Sequence, residues 1–290
     1  MAEGKPDNWS TEAYQNAASF VPKLATKIVQ WLDPQPDDVI LDIGCGDGVL
    51  NIQFNEILSR GSGSVHGIDA SPAMIEAARK AAEKAGAEKC TFEVLDALSL
   101  ATVPALQAGS FTKLFSNAAL HWILGGSATA TAASFFRAAR AALAPGGLFA
   151  FEMGGLGNVA EMRAAILAAV GRRVGLERAA RADPWLFPDE AWVRDVMEGK
   201  GEGKGEGKGE GGWEVLRAER EWRPTRAADN GVDGWVRLFG APFFQVLPEG
   251  PEREACVREA VGVLEVVCRE PRGGGFNLGY VRLRVLARRV

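Results

Sequence analysis

Apolar positions change their spacing several times along the chain, and each change marks an element. From Asn8 to Leu32 the residues Tyr14, Phe20, Val21, Leu24, Ile28, Trp31 and Leu32 recur mostly at three- and four-residue steps, the stripe of an amphipathic helix. Pro22 divides that stripe into two helices, since proline is best tolerated in a first turn, and Pro34 and Pro36 end it. Short apolar runs then alternate with alanine-rich helical stretches. The runs are VILDI (39–43), SVHGID (64–69), TFEVLD (91–96), TKLFSN (112–117) and LFAFEM (148–153), with SPAMIEAARKAAEKAG and TAASFFRAARAALAPGG among the stretches between them. Apolar strands separated by helices describe βαβ units on a parallel sheet covered on both faces. The predicted fold is α/β, a Rossmann-like doubly wound sheet.

The second half is less regular. A helix is expected over 158–174 and another from about Pro188. WEVLRAEREW (213–222) and YVRLRVLARR (280–289) alternate apolar and charged residues, the period-two pattern of a solvent-edged antiparallel pair that would close the sheet. Between them, GWVRLFGAPFFQVL and EREACVREAVGVLEVVCRE form a helical cap inserted near the C-terminal strands, where substrate contacts are commonly carried. Three regions follow: an N-terminal helical lid (1–36), a Rossmann-like core (37–153), and the cap with the final strands (154–290). Within the last, the repeat GKGEGKGEGKGEGG (199–212) cannot bury apolar surface and is expected to be a disordered surface loop.

Composition narrows the chemistry. With 290 residues, 47% of them hydrophobic, the chain can bury a full core. A net charge of -4 gives no broad basic field for phosphate backbones, so a nucleic-acid partner is not expected. Cys45, Cys90, Cys256 and Cys268 form no C-x-x-C pair and only two histidines are present, which argues against zinc and against a disulfide framework. No run of eighteen apolar residues occurs, and the start MAEGKPDNWS has no signal-peptide pattern. A cytoplasmic monomer or homodimer acting on a small molecule, away from membranes, is the expectation.

The segment carrying chemistry is LDIGCGDG (41–48). Gly44, Gly46 and Gly48 sit where the first strand turns into a helix, so backbone can approach a ligand closely. The spacing G-x-G-x-G is not the dinucleotide fingerprint G-x-G-x-x-G, and Asp42, two residues before the first glycine, would oppose a pyrophosphate at a helix N-terminus. A ligand carrying an ammonium and a sulfonium would instead welcome that carboxylate. Asp69 ends the second strand, where ribose hydroxyls would need an acceptor, and Asp96 follows the third, within reach of an adenine amine. Any one of these could simply cap the next helix. Three in series, all toward the same sheet edge, point to S-adenosylmethionine.

VILDIGCGDG, GIDASPAMIEAAR, FEVLDAL, FSNAALHWI and LAPGGLFAFEM, in that order, resemble the motifs of class I S-adenosylmethionine-dependent methyltransferases. SNAALHW further resembles the trans-aconitate methyltransferase-like group, whose members methylate carboxylic acids, and EMGGLGNV and GWVRLFGAPF are similar to its fungal members. The resemblance implies a seven-stranded sheet with a final antiparallel hairpin. It implies that Asp42, Gly44, Cys45, Gly46 and Gly48 line the methionine end of the cofactor, Asp69 and Ala70 the ribose, Met74, Asp96 and Ala97 the adenine, and that Asn117 lies beside the sulfur.

A carboxylate acceptor is already ionised at neutral pH and needs no general base. A hydroxyl, thiol, amine or carbon acceptor would benefit from one, and His121 is the candidate. Tyr14, Trp122, Arg163 and Arg226 are candidate substrate contacts, as is Arg223, because guanidinium pairs with carboxylate. Trp185, Phe187, Trp235, Phe239, Phe243 and Phe244 either wall a pocket or fill core. Carboxyl O-methylation leads. Methylation at O, N, S or C of a secondary metabolite and a non-catalytic cofactor-binding regulator remain as alternatives.

Overall fold

The computed structural model describes residues 25–126, 129–199 and 212–290. Tyr14 and the rest of the N-terminal lid before residue 25 lie outside the described residues, as does the Gly/Lys/Glu repeat from 200 to 211.

The elements are α1 (Thr26–Leu32), β1 (Val39–Ile43), α2 (Val49–Leu58), β2 (Ser64–Asp69), α3 (Pro72–Ala85), β3 (Cys90–Val94), β4 (Phe111–Asn117), α4 (Leu120–Ile123), α5 (Thr129–Ala142) and β5 (Leu143–Gly154). They are followed by α6 (Ala160–Val174), α7 (Leu176–Arg181), α8 (Glu190–Glu198), β6 (Trp213–Arg226), α9 (Gly231–Phe239), α10 (Ala241–Phe244), α11 (Pro251–Val267) and β7 (Asn277–Arg289). The seven strands form one sheet in the order β3-β2-β1-β4-β5-β7-β6. The first five run parallel; β7 enters antiparallel between β5 and β6. Strand order therefore reverses between β1 and β4, and in open sheets of this kind ligands bind outside the carboxyl ends at that switch point.

Local chemistry sets the boundaries. α3 is opened by Ser71, whose side chain accepts from the Met74 amide, with Pro72 in the first turn, and is closed by Gly86 in the left-handed region. β1 is buried along almost all its length, as expected of a central strand with helices on both faces. Ile40, Val65, Phe115 and Ala150 pack under α1 and α2 on one face. Leu41, Ile43, Leu114, Phe149 and Phe151 pack with α5 on the other. A third cluster joins α6, α9, α10 and α11 through Ile166, Val170, Trp235, Phe243 and Leu264, so the cap is built partly before β6 and partly between β6 and β7.

One expectation is overturned. Two arginines of the charged row of β7 do not face solvent: Arg282 is 3% and Arg284 2% exposed. Because β7 lies inside the sheet and α1 reaches that face, with Lys27 Nζ 3.1 Å from Glu221, these two are covered. Burial is tolerated because carboxylates meet it, Glu152 from β5 and Glu221 from β6.

Phe115 tests the core that carries the site. It is fully buried and meets the Phe54 ring edge-on at 5.1 Å. Phe115→Ala is expected to cost about 3–5 kcal/mol in urea denaturation, the range for an emptied aromatic site.

Candidate active site

The crevice at the switch point is lined by Asp42, Gly44, Cys45, Gly46, Asp47, Val49, Leu50 and Asn117. β1 delivers Asp42 and β4 delivers Asn117, with Asp42 in register opposite Phe115. The glycine loop between them follows from steric limits. Gly44 has φ +75°, and a Cβ there would stand 2.2 Å from that of Ala119, so any side chain would break the loop against α4. At Gly46, φ +56°, nothing lies within 4 Å of a would-be Cβ: that space opens outward. Gly48 caps α2 and leaves its first-turn amides toward the crevice.

The three sequence-picked acids behave differently. Asp69 accepts from the Gly46 amide at 3.0 Å and from the Ser71 amide at 2.9 Å, strapping the loop to β2. Asp96 is exposed and accepts from the Leu98 amide at 2.9 Å, the capping geometry. Asp42 caps nothing. It is 2% exposed, and its carboxyl has no hydrogen-bond partner among the described residues. Burial first, and the charge of Asp69 second, push it up to about 8. The same burial raises the Cys45 thiol, so the thiolate is disfavoured.

The structure gathers Asp42, Gly44, Cys45, Gly46, Gly48, Asp69 and Asn117 at the loop; Ala70 is exposed just beyond Asp69, Met74 is buried on α3, and Ala97 is buried beside Asp96. The Oδ1 atom of Asn117 is buried without a hydrogen-bond partner among the described residues. Trp122 is half-buried on a wall shared with Trp185 (5.4 Å) and Phe239 (6.3 Å).

Three candidates fall elsewhere or are already engaged. The His121 ring is buried between Trp122 and Phe187, and its Nδ1 accepts from the Gly154 amide at 3.3 Å. Burial, reinforced by the charge of Arg282, holds its pKa well below the usual value, so its basicity is low and one lone pair is taken by backbone. Arg163 is pinned by Asp183, Nε to Oδ2 at 2.9 Å with Nη2 on the same oxygen. Arg226 has a side chain 65% exposed at the far end of β6, 4.0 Å from Glu270 and in register with Asn277. Sequence reading missed Glu152, Arg282 and Arg284, which converge beside Asn117. The alternating arginines of YVRLRVLARR were the available signal, misread as a solvent face.

A doubly wound sheet of this order with a buried acid at its switch point defines a Rossmann-like methyltransferase fold. Residues 34–168 match the family described as Methyltransferase domain. The chain is 34% identical over 97% of its length to the uncharacterized methyltransferase C70.08c of Schizosaccharomyces pombe, covering 98% of it. It is 33% identical over 109 residues to aklanonic acid methyltransferase DauC of a Streptomyces species, covering 35% of this chain and 47% of that one. YcgJ of Bacillus subtilis shares the fold with a TM-score of 0.58 at 13% identity, covering 91% of this chain and 97% of that one. Phosphoethanolamine N-methyltransferase 2 of Haemonchus contortus, solved with S-adenosylhomocysteine, does so with a TM-score of 0.51 at 14% identity, covering 98% and 57%.

The chain belongs to the class I S-adenosylmethionine-dependent methyltransferases, and its cofactor is S-adenosylmethionine. The crevice fits that cofactor: the partnerless carboxyl of Asp42 suits a cation, the orphaned Asn117 oxygen is an acceptor in waiting, and Gly46 leaves the approach open. Among the described residues no group of three or more His, Cys, Asp or Glu side chains could hold a metal ion, and no helix is long and apolar enough to cross a membrane.

Asp42→Asn keeps the shape and removes the charge, and two opposite effects are expected. Asp42's folded pKa lies above its unfolded value of 3.8, so its favourable contribution is present at low pH and is lost as pH rises from about 4 to about 8. The cofactor-free variant should therefore melt several degrees above the parent at pH 8, a difference that vanishes near pH 4. Calorimetry with S-adenosylmethionine should show the reverse. Parent affinity rises by up to about tenfold per pH unit below 8 and then levels, as the ionised form takes over. The variant binds about 10–100-fold more weakly with that pH dependence lost.

Proposed function

We propose that the protein is a cytoplasmic small-molecule methyltransferase that O-methylates a carboxylic acid. The observation carrying this reading is that the only histidine near the site is buried, weakly basic and bonded to backbone. Among the described residues, an acceptor that must lose a proton would find no histidine base there. A carboxylate needs none. The 109-residue likeness to a methyltransferase named for aklanonic acid supports the same class.

In this reading Asp42 takes the ammonium of the cofactor and the glycine loop, with Cys45, lines its methionine part. Asp69 and Ala70 meet the ribose; Met74, Asp96 and Ala97 bound the adenine. Asn117 lies beside the reacting centre with Trp122 as an aromatic wall for the acceptor. When bound, S-adenosylmethionine would supply a methyl group on a sulfonium, which a carboxylate oxygen could accept with the C–S electron pair left on sulfur and no proton to remove. The protein's part is alignment and exclusion of water: α4 and the cap aromatics fix the acceptor while the loop fixes the methyl donor. His121 holds the Gly154 amide and so positions the end of β5.

Mass spectrometry after exposure to panels of organic acids, phenols, thiols and amines should find products one methylene heavier only among the acids, as alkali-labile esters. At saturating cofactor kcat should be flat from pH 6 to 9. His121→Gln should keep kcat within about tenfold, whereas loss of a true general base costs about 10²–10⁴. Methylated phenols or amines, with a rate tracking a group near neutrality that collapses in the variant, would overturn the reading.

A further inference from the structure

Glu152 on β5 stands in register with Asn117 on β4, at the carboxyl edge of the sheet. It is 1% exposed, and three guanidiniums converge on it. Arg282 Nε donates to Oε1 at 2.9 Å, Arg284 Nε to Oε2 at 2.6 Å, and Arg223 Nη2 to Oε1 at 3.4 Å. Burial alone would raise this carboxyl; the arginines outweigh it and hold Glu152 below the usual carboxylate range. Arg284 is also answered by Glu221 at 2.5 Å.

Arg282 is not answered in that way. It is 3% exposed, the Nε bond is its only hydrogen bond, and neither terminal nitrogen has a hydrogen-bond partner among the described residues. Its guanidinium lies 5.7 Å from the Tyr280 ring, whose hydroxyl accepts from Trp235 Nε1 at 2.6 Å. Its charge is also felt by His121, which packs on Trp122. Arg282 thus stands where the sheet edge beside Asn117 meets the aromatic wall of the cap. Arg282 shares the Glu152 carboxylate with Arg284 and Arg223, so three guanidiniums stand against one buried carboxylate. Guanidinium donors that no protein acceptor engages, on a side chain this well covered, favour acceptor oxygens that reach them.

We propose that Arg282, anchored by Glu152 and flanked by Arg223, binds the anionic group of the methyl acceptor and sets a preference for acids with a flat apolar body that the aromatic wall can cover. The proposal rests on the reading of this chain as a methyltransferase of acids, and names the residue that selects them. It has a consequence for turnover: methylation removes the acceptor's charge, so the ester loses its hold on Arg282 and leaves more readily than the acid.

The test uses protein saturated with S-adenosylhomocysteine and needs no turnover. 1-Naphthoate and benzoate, each with its neutral amide and methyl ester, are titrated by calorimetry and by tryptophan fluorescence. The acids should bind at least about tenfold more tightly than the amides and esters. Arg282→Met should abolish that preference while S-adenosylhomocysteine affinity stays within about twofold. Because Arg282→Met leaves Glu152 one partner short, the double variant Arg282→Met/Glu152→Gln serves if the single one does not fold, with the same loss expected. Acids and amides binding alike to the parent, no binding of either acid up to millimolar concentration, or a preference that survives removal of Arg282 would each overturn the proposal. The two readings separate cleanly. If acids are bound through Arg282 but never methylated, carboxyl O-methylation fails and the anion site stands; if acids are methylated with KM unchanged in the variant, the anion site fails and O-methylation stands.

Discussion

Burial of one carboxyl, that of Asp42, is the constraint around which the crevice is organised. Placing a carboxyl at 2% exposure beside a second acid is unfavourable by itself, as its displacement to about 8 records. The sheet enforces it. β1 is an interior strand, hydrogen-bonded on both sides, and its register with β2 and β4 fixes which side chain stands at the switch point. A cation bound there would relieve the cost, and stability given up in the free protein would reappear as affinity. An amide nitrogen or a serine at the same place would stabilise the fold and lose this selectivity.

Legibility in the sequence divides along the same line. Parallel strands and their helices were readable because burial on both faces leaves near-continuous apolar runs, and the strand-end acids because each sits at a fixed offset from such a run. The seven-stranded doubly wound sheet follows from those runs and from the final pair. What resisted reading is long-range. Arg282 and Glu152 are 130 positions apart, and nothing local says that β7 will lie inside the sheet with α1 reaching its charged face. Period-two alternation reports two different faces, not which of them water sees. The same limit explains Arg163 and Arg226: an arginine in a cap segment looks alike in sequence whether it is held by Asp183 or left at the surface.

The cap shows how the two halves of the chain become one site. Tyr280 on β7 bonds to Trp235 on α9, Trp122 on α4 packs on Trp185 and Phe239, and His121 ties α4 to the end of β5. The first two contacts tie the sheet and α4 to the cap, and the third braces α4 against β5, so the aromatic cluster is held by packing on both sides.

Opposite charges on the two sides of Asn117 give the proposed arrangement its logic. In the proposed reaction a cationic donor and an anionic acceptor meet and both become neutral. The acidic end of the site, Asp42 with Asp69, favours the donor's charge, and the basic end, Arg282 with Arg223, the acceptor's. Between them stand neutral groups, Asn117 and Trp122. Charges that disappear in the transition state should not be stabilised at the reacting atoms themselves, since that would deepen the ground state and raise the barrier. Holding each partner by charge away from the reacting atoms, and surrounding those atoms with uncharged groups, binds both without that penalty.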